Sequence, residues 1–391
     1  MLTSFRPNPF GAAVFALVLC TLGAARAADD NIDWRKTQDL FQRSNRGEKL
    51  SADDQAYLDH AKEVRQKLIA EGKAPWKDQA TAGNNNAGPA KLAPMVGKSP
   101  TGLIPLTELG AEKYKGEDGG LYGGGKNEPP PEHAEAAAKE LAKIVPLDAD
   151  GNPAGTGKIV FIGIGMSNTT QEFSRFKQVA DADADKATNL VIVDGAQGGK
   201  AARQWADESV WQVAEQRLKA AGMSAKQVQV AWIKQANIQP TGETLDHARA
   251  LHKDMETLLH LAKKHYPNLR VAYLSSRIYA GYARSRLNPE PFAYEGAFAM
   301  RWLILDQIKK EAKLNYESSR GEVVSPLLLW GPYLWADGMN ARKADGLVYE
   351  EKDFGPDGTH PSNSGRDKVA NLLLSFLKTD AGAKTWFTGK K

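Results

Sequence analysis

The sequence predicts an α/β protein, a three-layer αβα sandwich in which helices cover both faces of a central five-stranded parallel sheet. After residue 157, five short apolar runs alternate with longer stretches whose apolar residues recur at helical spacing. Strands that are buried on both faces have nearly continuous apolar sequences, so this alternation indicates parallel strands. A separate N-terminal helical segment is predicted ahead of the sheet.

The predicted strands and helices alternate regularly along the chain. The apolar runs assigned to strands are 158–165, 190–193, 228–233, 271–274 and 327–330. The amphipathic stretches assigned to helices lie near 203–221, 243–265, 292–314 and 361–378. Ligands of such sheets bind at the carboxyl ends of the strands, and functional residues are therefore expected there.

The amino terminus, residues 1–27, resembles a secretory signal peptide. Arg6 precedes an apolar run from 11 to 23, and Ala25-Arg26-Ala27 fits the small-x-small rule for cleavage. Lipid attachment to Cys20 is disfavoured, because the small residue that normally precedes a lipidated cysteine is missing. We therefore expect an exported protein, periplasmic or secreted, that is cleaved near Ala27.

Two further segments precede the sheet domain of 157–391. Residues 28–72 are polar with apolar positions at helical spacing, and they are predicted to form a helical hairpin. Residues 73–156 are rich in Gly, Pro and Asn and are predicted to be a linker and loops. The glycine clusters of this segment lack the Gly-Lys-Ser/Thr ending of a phosphate-binding loop, so nucleotide binding is not expected.

Composition argues against several kinds of site. Cys20 is the only cysteine and leaves with the signal peptide, so no disulfide, thiol nucleophile or cysteine metal site is expected. The formal charge of +4 falls to +2 without Arg6 and Arg26 (4 − 2 = 2), too little to indicate nucleic acid binding. No later stretch is apolar over about 18 residues, so no membrane span is predicted. The acidic runs 148–152 and 181–185 lack the glycine and glutamate of a calcium loop, and no metal site is predicted.

Ser167 is the candidate nucleophile. It follows the first predicted strand on the turn Gly165-Met166-Ser167-Asn168, and a helical stretch follows from 169 to 176. Such a turn exposes a serine hydroxyl above the sheet and places the N–H groups of the helix start beside it. The same position also suits a helix N-cap, for which Ser167 or Asn168 would serve equally well.

Asp357 and His360 are the candidate partners of this serine. They lie three residues apart in a loop that opens the last predicted helix. Serine hydrolysis needs an imidazole that accepts the hydroxyl proton and a carboxylate that orients the imidazole, and this spacing lets the two bond locally. The alternative is a turn before a helix that starts at Pro361, with Asp357 and Ser362 as capping groups.

Two other strand ends supply candidate donors for an oxyanion. The second strand leads into Gly198-Gly199, where glycine lets a backbone N–H approach a ligand closely. The third strand leads into Asn237, whose side-chain amide can donate to the same oxygen. Along the chain, the candidate groups thus occur in the order Ser, Gly, Asn, and Asp with His.

In this order and in these segments, residues 157–380 resemble the SGNH (GDSL-type) hydrolases. Gly165-Met166-Ser167-Asn168 replaces the usual Gly-Asp-Ser-Leu and is closer to the Gly-Gln-Ser-Asn of sialate O-acetylesterase-like carbohydrate esterases. Residues 199–203 are similar to the second block of acetylesterases that act on plant polysaccharides. Asp357-x-x-His360 matches fully, whereas Gln235-Ala236-Asn237-Ile238 replaces the family's Gly-x-Asn-Asp.

The resemblance implies a flavodoxin-like fold and an esterase that uses no cofactor. Ser167 would attack an ester carbonyl, His360 would act as base and then as acid, and Asp357 would orient His360. The N–H groups of Ser167 and Gly199 and the amide of Asn237 would bind the oxyanion. The substrate would be a small-molecule or polysaccharide ester, and the first two blocks favour O-acetyl groups on carbohydrate.

Three other interpretations are open at the level of the sequence. An α/β-hydrolase with a Gly-x-Ser-x-Gly elbow would place its acid well before its histidine, unlike Asp357. An O-acyltransferase would pass the same acyl group to a sugar hydroxyl instead of water. A carbohydrate-binding protein on the same scaffold would stack sugars on the aromatic residues near the last two strand ends, which are Tyr279, Tyr282, Trp330, Tyr333 and Trp335.

Overall fold

The computed structural model describes residues 32–45, 50–70, 100–240 and 245–390. The predicted signal peptide and the first part of the predicted linker, up to residue 99, lie outside the described residues. The chain divides into two units, 1–91 and 92–391.

The described residues of the first unit form two helices, α1 (Trp34–Asn45) and α2 (Ala52–Ala70). The helices pack against each other around a small apolar cluster. The hydroxyl of Ser51 accepts a hydrogen bond of 3.1 Å from the N–H of Asp54 and so caps α2, as the Ser-x-x-Asp spacing indicates.

The described part of the predicted linker, residues 100–156, belongs to the second unit and is folded. It contains a short antiparallel pair, β1 (Lys113–Tyr114) and β2 (Glu117–Asp118), followed by α3 (Pro131–Leu141). Leu106 is fully buried in the main core of this unit. Much of the glycine content of the segment corresponds to turns with positive φ, which glycine adopts without strain.

The second unit is built on the five-stranded parallel sheet that the sequence predicts. In chain order its strands are β3 (Ile159–Gly165), β4 (Leu190–Asp194), β5 (Val228–Lys234), β6 (Val271–Leu274) and β7 (Leu327–Trp330). Their spatial order is β4-β3-β5-β6-β7, and every neighbouring pair is parallel. Along the chain, β4 is added on one side of β3, whereas β5, β6 and β7 are added on the other side. Open α/β sheets bind ligands where the direction of strand addition reverses in this way, here between β3 and β5.

Helices cover both faces of the sheet and complete the three layers. One face carries α4 (Ser167–Asp181), α8 (Asn363–Thr379) and α9 (Ala381–Thr388), and α8 packs against both of the others. The right-handed crossovers of parallel strands place the remaining helices on the other face. These helices are α5 (Glu208–Ala220), α6 (Asp246–His265) and α7 (Phe292–Ile308).

The differences from the predicted helix boundaries are local. The stretch predicted at 203–221 is divided into a 3-10 helix, Ala202–Ala206, and α5, because Asp207 caps α5 by accepting from the N–H of Ser209 at 2.9 Å. The stretch predicted at 292–314 forms two elements. The helix α7 ends at Ile308, and a separate 3-10 turn follows at Ala312–Leu314. The predicted beginning of α6 at 243 falls outside the described residues.

A buried ion pair fixes α4 to the sheet. Lys234, at the end of β5, donates from Nζ to both carboxylate oxygens of Glu172 on α4, at 2.6 Å from Oε1, and neither side chain has exposed surface. Burial lowers the pKa of Lys234 to about 8, and the charge of Glu172 opposes that effect. The carbonyl of Lys234 also accepts a hydrogen bond from the Thr169 hydroxyl at 2.6 Å.

Gly165 permits this close approach of α4 and β5. A Cβ atom at this position would overlap the hydroxyl of Thr169 and the carbonyl oxygen of Lys234. The glycine at the end of β3 is therefore required by packing, and it sets the start of α4 directly above the sheet.

Replacing Lys234 by methionine is expected to lower the free energy of unfolding by about 3–5 kcal/mol, because the Glu172 carboxylate is left buried without a partner. Urea-induced unfolding at neutral pH measures the effect. Lys226→Met is the matched control, since that side chain is 56 % exposed and approaches Asp150 only to 4.0 Å. The control should change stability by less than about 0.5 kcal/mol. Equal stability of the two variants would show that the buried pair does not anchor α4.

Candidate active site

Ser167 is the first residue of α4, directly beyond the end of β3. The N-cap of this helix is Met166, and no side chain caps it. The hydroxyl of Ser167 is thus not used for capping, which was the alternative role that the sequence allowed. It is partly exposed at the carboxyl edge of the sheet, and its Oγ lies 2.8 Å from Nε2 of His360.

His360 is hydrogen-bonded through both ring nitrogens. Nδ1 lies 2.5 Å from Oδ2 of Asp357, while Nε2 faces Ser167. An ionised carboxylate only accepts hydrogen bonds, so the network assigns the proton to Nδ1 and leaves Nε2 to accept from the serine hydroxyl. This is the tautomer in which an imidazole can take a proton from serine.

Asp357 organises the loop that carries His360. Its Oδ1 accepts hydrogen bonds from the N–H groups of Thr359 and His360, both at 3.0 Å. Partial burial raises the pKa of Asp357, but the bonds from His360 and the backbone outweigh burial and hold the pKa at about 2. Asp357 is therefore a carboxylate at neutral pH, next to the ring that it orients.

The capping alternative applies to only one of its two residues. Ser362 does cap α8, since its hydroxyl accepts from the N–H of Gly365 at 3.5 Å. Asp357 instead stabilises the turn ahead of the helix and contacts His360. The turn requires Gly358, which has φ +64° and packs tightly against the backbone of Tyr282.

Asn168 joins the start of α4, which carries Ser167, to the loop that carries His360. The sequence did not indicate this contact. The side chain is 1 % exposed, and its Nδ2 donates to the carbonyl of Thr359 at 2.9 Å. The residue after Ser167 thus holds the residue before His360. The two positions lie 191 residues apart, and no pattern in a single sequence pairs an asparagine with a distant carbonyl.

Gly199 lies in the turn after β4 with φ +76°, a conformation that favours glycine. Within the described part of the chain, no hydrogen bond uses the N–H of Gly199. As the first residue of α4, Ser167 has an N–H that lies before the intrahelical hydrogen bonds begin. Both backbone donors are thus available to an external acceptor.

Asn237 follows β5, but its side chain contacts α6 and not the serine. Nδ2 donates to Oδ2 of Asp254 at 2.6 Å, and Oδ1 accepts from the N–H of Arg203 at 3.4 Å. Among the described residues, no hydrogen bond joins Asn237 to Ser167 or His360. The structure therefore brings Ser167, His360 and Asp357 into direct contact, while Asn237 keeps one amide hydrogen beyond its bond to Asp254.

Most of the aromatic residues near the last two strand ends belong to the core. Four of the five rings are at most 6 % exposed, namely Tyr279, Trp330, Tyr333 and Trp335. The indole N–H of Trp335, for example, donates to Oε1 of Glu290 at 2.8 Å. Only Tyr282 is partly exposed. A sugar could not stack on the buried rings, which argues against the carbohydrate-binding alternative that depends on them.

One large cleft in the described part of the chain lies at the opposite edge of the sheet. It measures about 660 Å³ and is lined by residues at the amino ends of β6 and β7, among them Arg270 and Pro326. Several of its charged side chains pair with each other, as Arg270 does with Glu140 at 3.4 Å. The cleft does not include the Ser167–His360 pair, so the candidate site is assigned by its chemistry.

Neither a cluster of metal ligands nor a membrane-spanning helix is present in the described part of the chain. No group of three or more His, Cys, Asp or Glu side chains there is arranged to hold a metal ion. The acidic run 181–185 pairs with lysines, Asp183 with Lys378 at 2.8 Å and Asp185 with Lys390 at 2.6 Å. No helix in those ranges is long and apolar enough to cross a bilayer.

Two solved structures have a distant likeness to this chain. No protein-family profile matches the sequence, nor does any curated protein. A candidate acylhydrolase from Bacteroides fragilis is 13 % identical with a TM-score of 0.32, covering 63 % of this chain and 97 % of that one. The YxiM protein of Bacillus subtilis is 12 % identical with a TM-score of 0.29, covering 59 % of each chain. At these identities and TM-scores, neither structure supports any particular chemistry for this chain.

The bonds of Asp357 predict a pH dependence of stability. Because its folded pKa of about 2 lies below the ordinary value of 3.8, Asp357 stabilises the fold above about pH 4, and this contribution is lost as the pH falls towards 2. Urea unfolding of the wild type and Asp357→Asn over about pH 2 to 6 measures it. The difference between the two proteins should be constant above about pH 5 and narrow below pH 4. A difference independent of pH would contradict the assignment.

Proposed function

We propose that this chain is an exported serine esterase that hydrolyses ester bonds, with O-acetyl groups on carbohydrate as its preferred substrates. The observation that supports the proposal is the line of hydrogen bonds from Ser167 through His360 to Asp357, at 2.8 and 2.5 Å. The line lies at the carboxyl edge of a parallel sheet beside the reversal of strand order, where such folds bind ligands.

The geometry suits a two-step acyl transfer to water. His360 Nε2 accepts the Ser167 proton as Oγ attacks the ester carbonyl, and Asp357 stabilises the imidazolium that forms. The imidazolium then protonates the leaving alcohol, and an acyl group remains on Ser167. Water attacks the acyl group in the second step, with His360 again as base, and the carboxylic acid is released.

Backbone donors are proposed to stabilise the oxyanion of each tetrahedral intermediate. The N–H of Ser167 belongs to the amino terminus of α4, where the helix dipole favours negative charge. The N–H of Gly199 comes from the neighbouring turn. The remaining amide hydrogen of Asn237 is the proposed third donor. One donor of this kind typically stabilises the transition state by about 3–4 kcal/mol.

The substrate preference and the export in this proposal rest on the sequence. The carbohydrate and acetyl preference comes from the blocks Gly165–Asn168 and Gly199–Arg203, and export comes from residues 1–27. A sugar hydroxyl in place of water would turn the same acyl-enzyme into an acyltransferase. Product analysis with an added polysaccharide distinguishes free acid from transferred acyl groups.

Ser167→Ala is expected to reduce the turnover of p-nitrophenyl acetate by about 10⁴-fold or more, because the nucleophile is removed. Release of p-nitrophenolate measures the rate directly. Ser375→Ala is the matched control, since Ser375 is exposed on α8, and it should retain wild-type turnover. Equal rates for wild type and Ser167→Ala, or no turnover by the wild type, would exclude the proposed chemistry.

Asn237→Ala is expected to slow the same reaction on the order of a hundredfold, through loss of an oxyanion donor. Asp254→Ala serves as the comparison, because both variants lose the 2.6 Å bond between the two side chains but only the first loses the amide. The second variant should retain most of its turnover. Equal losses from both would assign Asn237 to packing and leave the oxyanion to the backbone donors.

A further inference from the structure

Asp194 is the last residue of β4, and its carboxylate bonds to two neighbouring elements of the site. Oδ2 accepts hydrogen bonds from two hydroxyl groups of α4, those of Thr170 and, at 2.8 Å, of Ser174. Oδ1 accepts from the N–H of Ala196 at 3.0 Å. One side chain thus joins the helix that begins with the candidate nucleophile to the turn that follows β4.

The turn after β4, residues 195–201, lies directly beside the start of α4. The N–H of Gln197 donates to the carbonyl of Gly165 at 2.9 Å. Further along the turn, Ala201 belongs to a buried apolar cluster together with Met166. The turn is therefore in contact with the two residues that immediately precede the candidate nucleophile.

The two backbone donors proposed for the oxyanion belong to these two elements. The N–H of Ser167 lies at the start of α4, and the N–H of Gly199 lies in the turn. An oxyanion hole is effective only when its donors converge on one oxygen, at about 2.7–3.1 Å. A displacement of about 1 Å in a site can reduce the rate on the order of a hundredfold. The distance between α4 and the turn must therefore be fixed.

Asp194 is suited to fix this distance. Among the described residues, no other side chain is hydrogen-bonded both to α4 and to the turn. Burial raises the pKa of Asp194, and the bonds from Thr170 and Ser174 oppose that effect and favour the carboxylate, which accepts from all three donors. Nη1 of Arg217 also donates to the carbonyls of Asp194 and Ala196, at 2.9 and 2.6 Å, and so holds the backbone of the turn.

We propose that Asp194 is a positioning residue of the oxyanion hole, which holds the N–H groups of Ser167 and Gly199 in one arrangement without contacting the substrate. The inference rests on the proposed esterase function and assigns to it a residue outside the line of Ser167, His360 and Asp357. Loss of Asp194 should therefore weaken the stabilisation of the oxyanion, while the bond between Ser167 and His360 remains.

The test compares two esters that differ in the atom that the oxyanion hole must bind. One is p-nitrophenyl acetate, and the other is its thionoester, in which sulfur replaces the carbonyl oxygen. Sulfur is a weak hydrogen-bond acceptor, so the backbone donors stabilise its negative charge less. The ratio of kcat/KM for the two esters, divided by the same ratio for hydroxide ion, is the oxygen preference of the enzyme. It should be about one hundred or more for the wild type, and it cancels any loss of folded protein.

Asp194→Ala should lower the oxygen preference by about tenfold to a hundredfold, because the two donors no longer converge on one oxygen. Thr170→Val combined with Ser174→Ala removes the same link from the helix side and should lower the oxygen preference in the same direction. Asp194→Asn should retain most of it, since the amide accepts from Ala196 and can donate to both hydroxyl groups.

Asp183→Ala is the matched control, since this carboxylate accepts from Lys378 at 2.8 Å beyond the opposite end of α4. The control should keep the wild-type oxygen preference. An unchanged preference in Asp194→Ala would overturn the proposal, and so would a wild-type preference near one. If Asp194→Ala does not fold, the double variant of Thr170 and Ser174 decides by the same criterion.

The outcomes separate this inference from the proposed function. If the wild type hydrolyses neither ester, the esterase proposal fails, and the role of Asp194 fails with it. If the wild type hydrolyses both esters and Asp194→Ala keeps the wild-type oxygen preference, the esterase proposal stands and only the role of Asp194 is rejected.

Discussion

The attachment of α4 to β5 is the constraint on which the site depends. Ser167 is the first residue of α4, so any movement of this helix moves the candidate nucleophile. The Lys234–Glu172 pair and the bond from Thr169 to the Lys234 carbonyl fix the helix at two points. A buried pair of this kind contributes little net stability compared with apolar packing, but it is costly to break. Its role here is to define one position for the helix.

The second half of the site is the loop that carries Asp357 and His360. Asn168 joins this loop to α4, which carries Ser167. Asp357 shapes its own loop through two backbone N–H groups and orients His360 through Nδ1. Asn168 then connects that loop to the start of α4. The serine–histidine distance is thus set by buried or partly buried hydrogen bonds on both sides, and not by the two side chains alone.

The parts of this arrangement that the sequence predicts are those that follow from local patterns. Nearly continuous apolar runs indicate buried parallel strands, and the topology of such strands places Ser167 and the loop of His360 at one edge of the sheet. Residues 100–156 were predicted as linker and loops because glycine-rich turns and flexible chain have the same composition. Nor can local patterns give the orientation of a side chain. Asn237 has the expected place in the sequence, yet its amide is held by Asp254.

The charged groups that hold the site in place are paired within the protein. Asp357, Glu172 and Lys234 have their partners within the protein and hold other groups in place.

The central claim is that Ser167 is a nucleophile activated by His360 and Asp357. Reaction of the wild type with a fluorophosphonate, followed by peptide mass spectrometry, tests it most directly. A single adduct on Ser167 is predicted, formed at a rate that falls by about 10⁴-fold in Asp357→Asn, because the imidazole is then held in the wrong tautomer. No adduct, or an adduct on another serine, would contradict the claim.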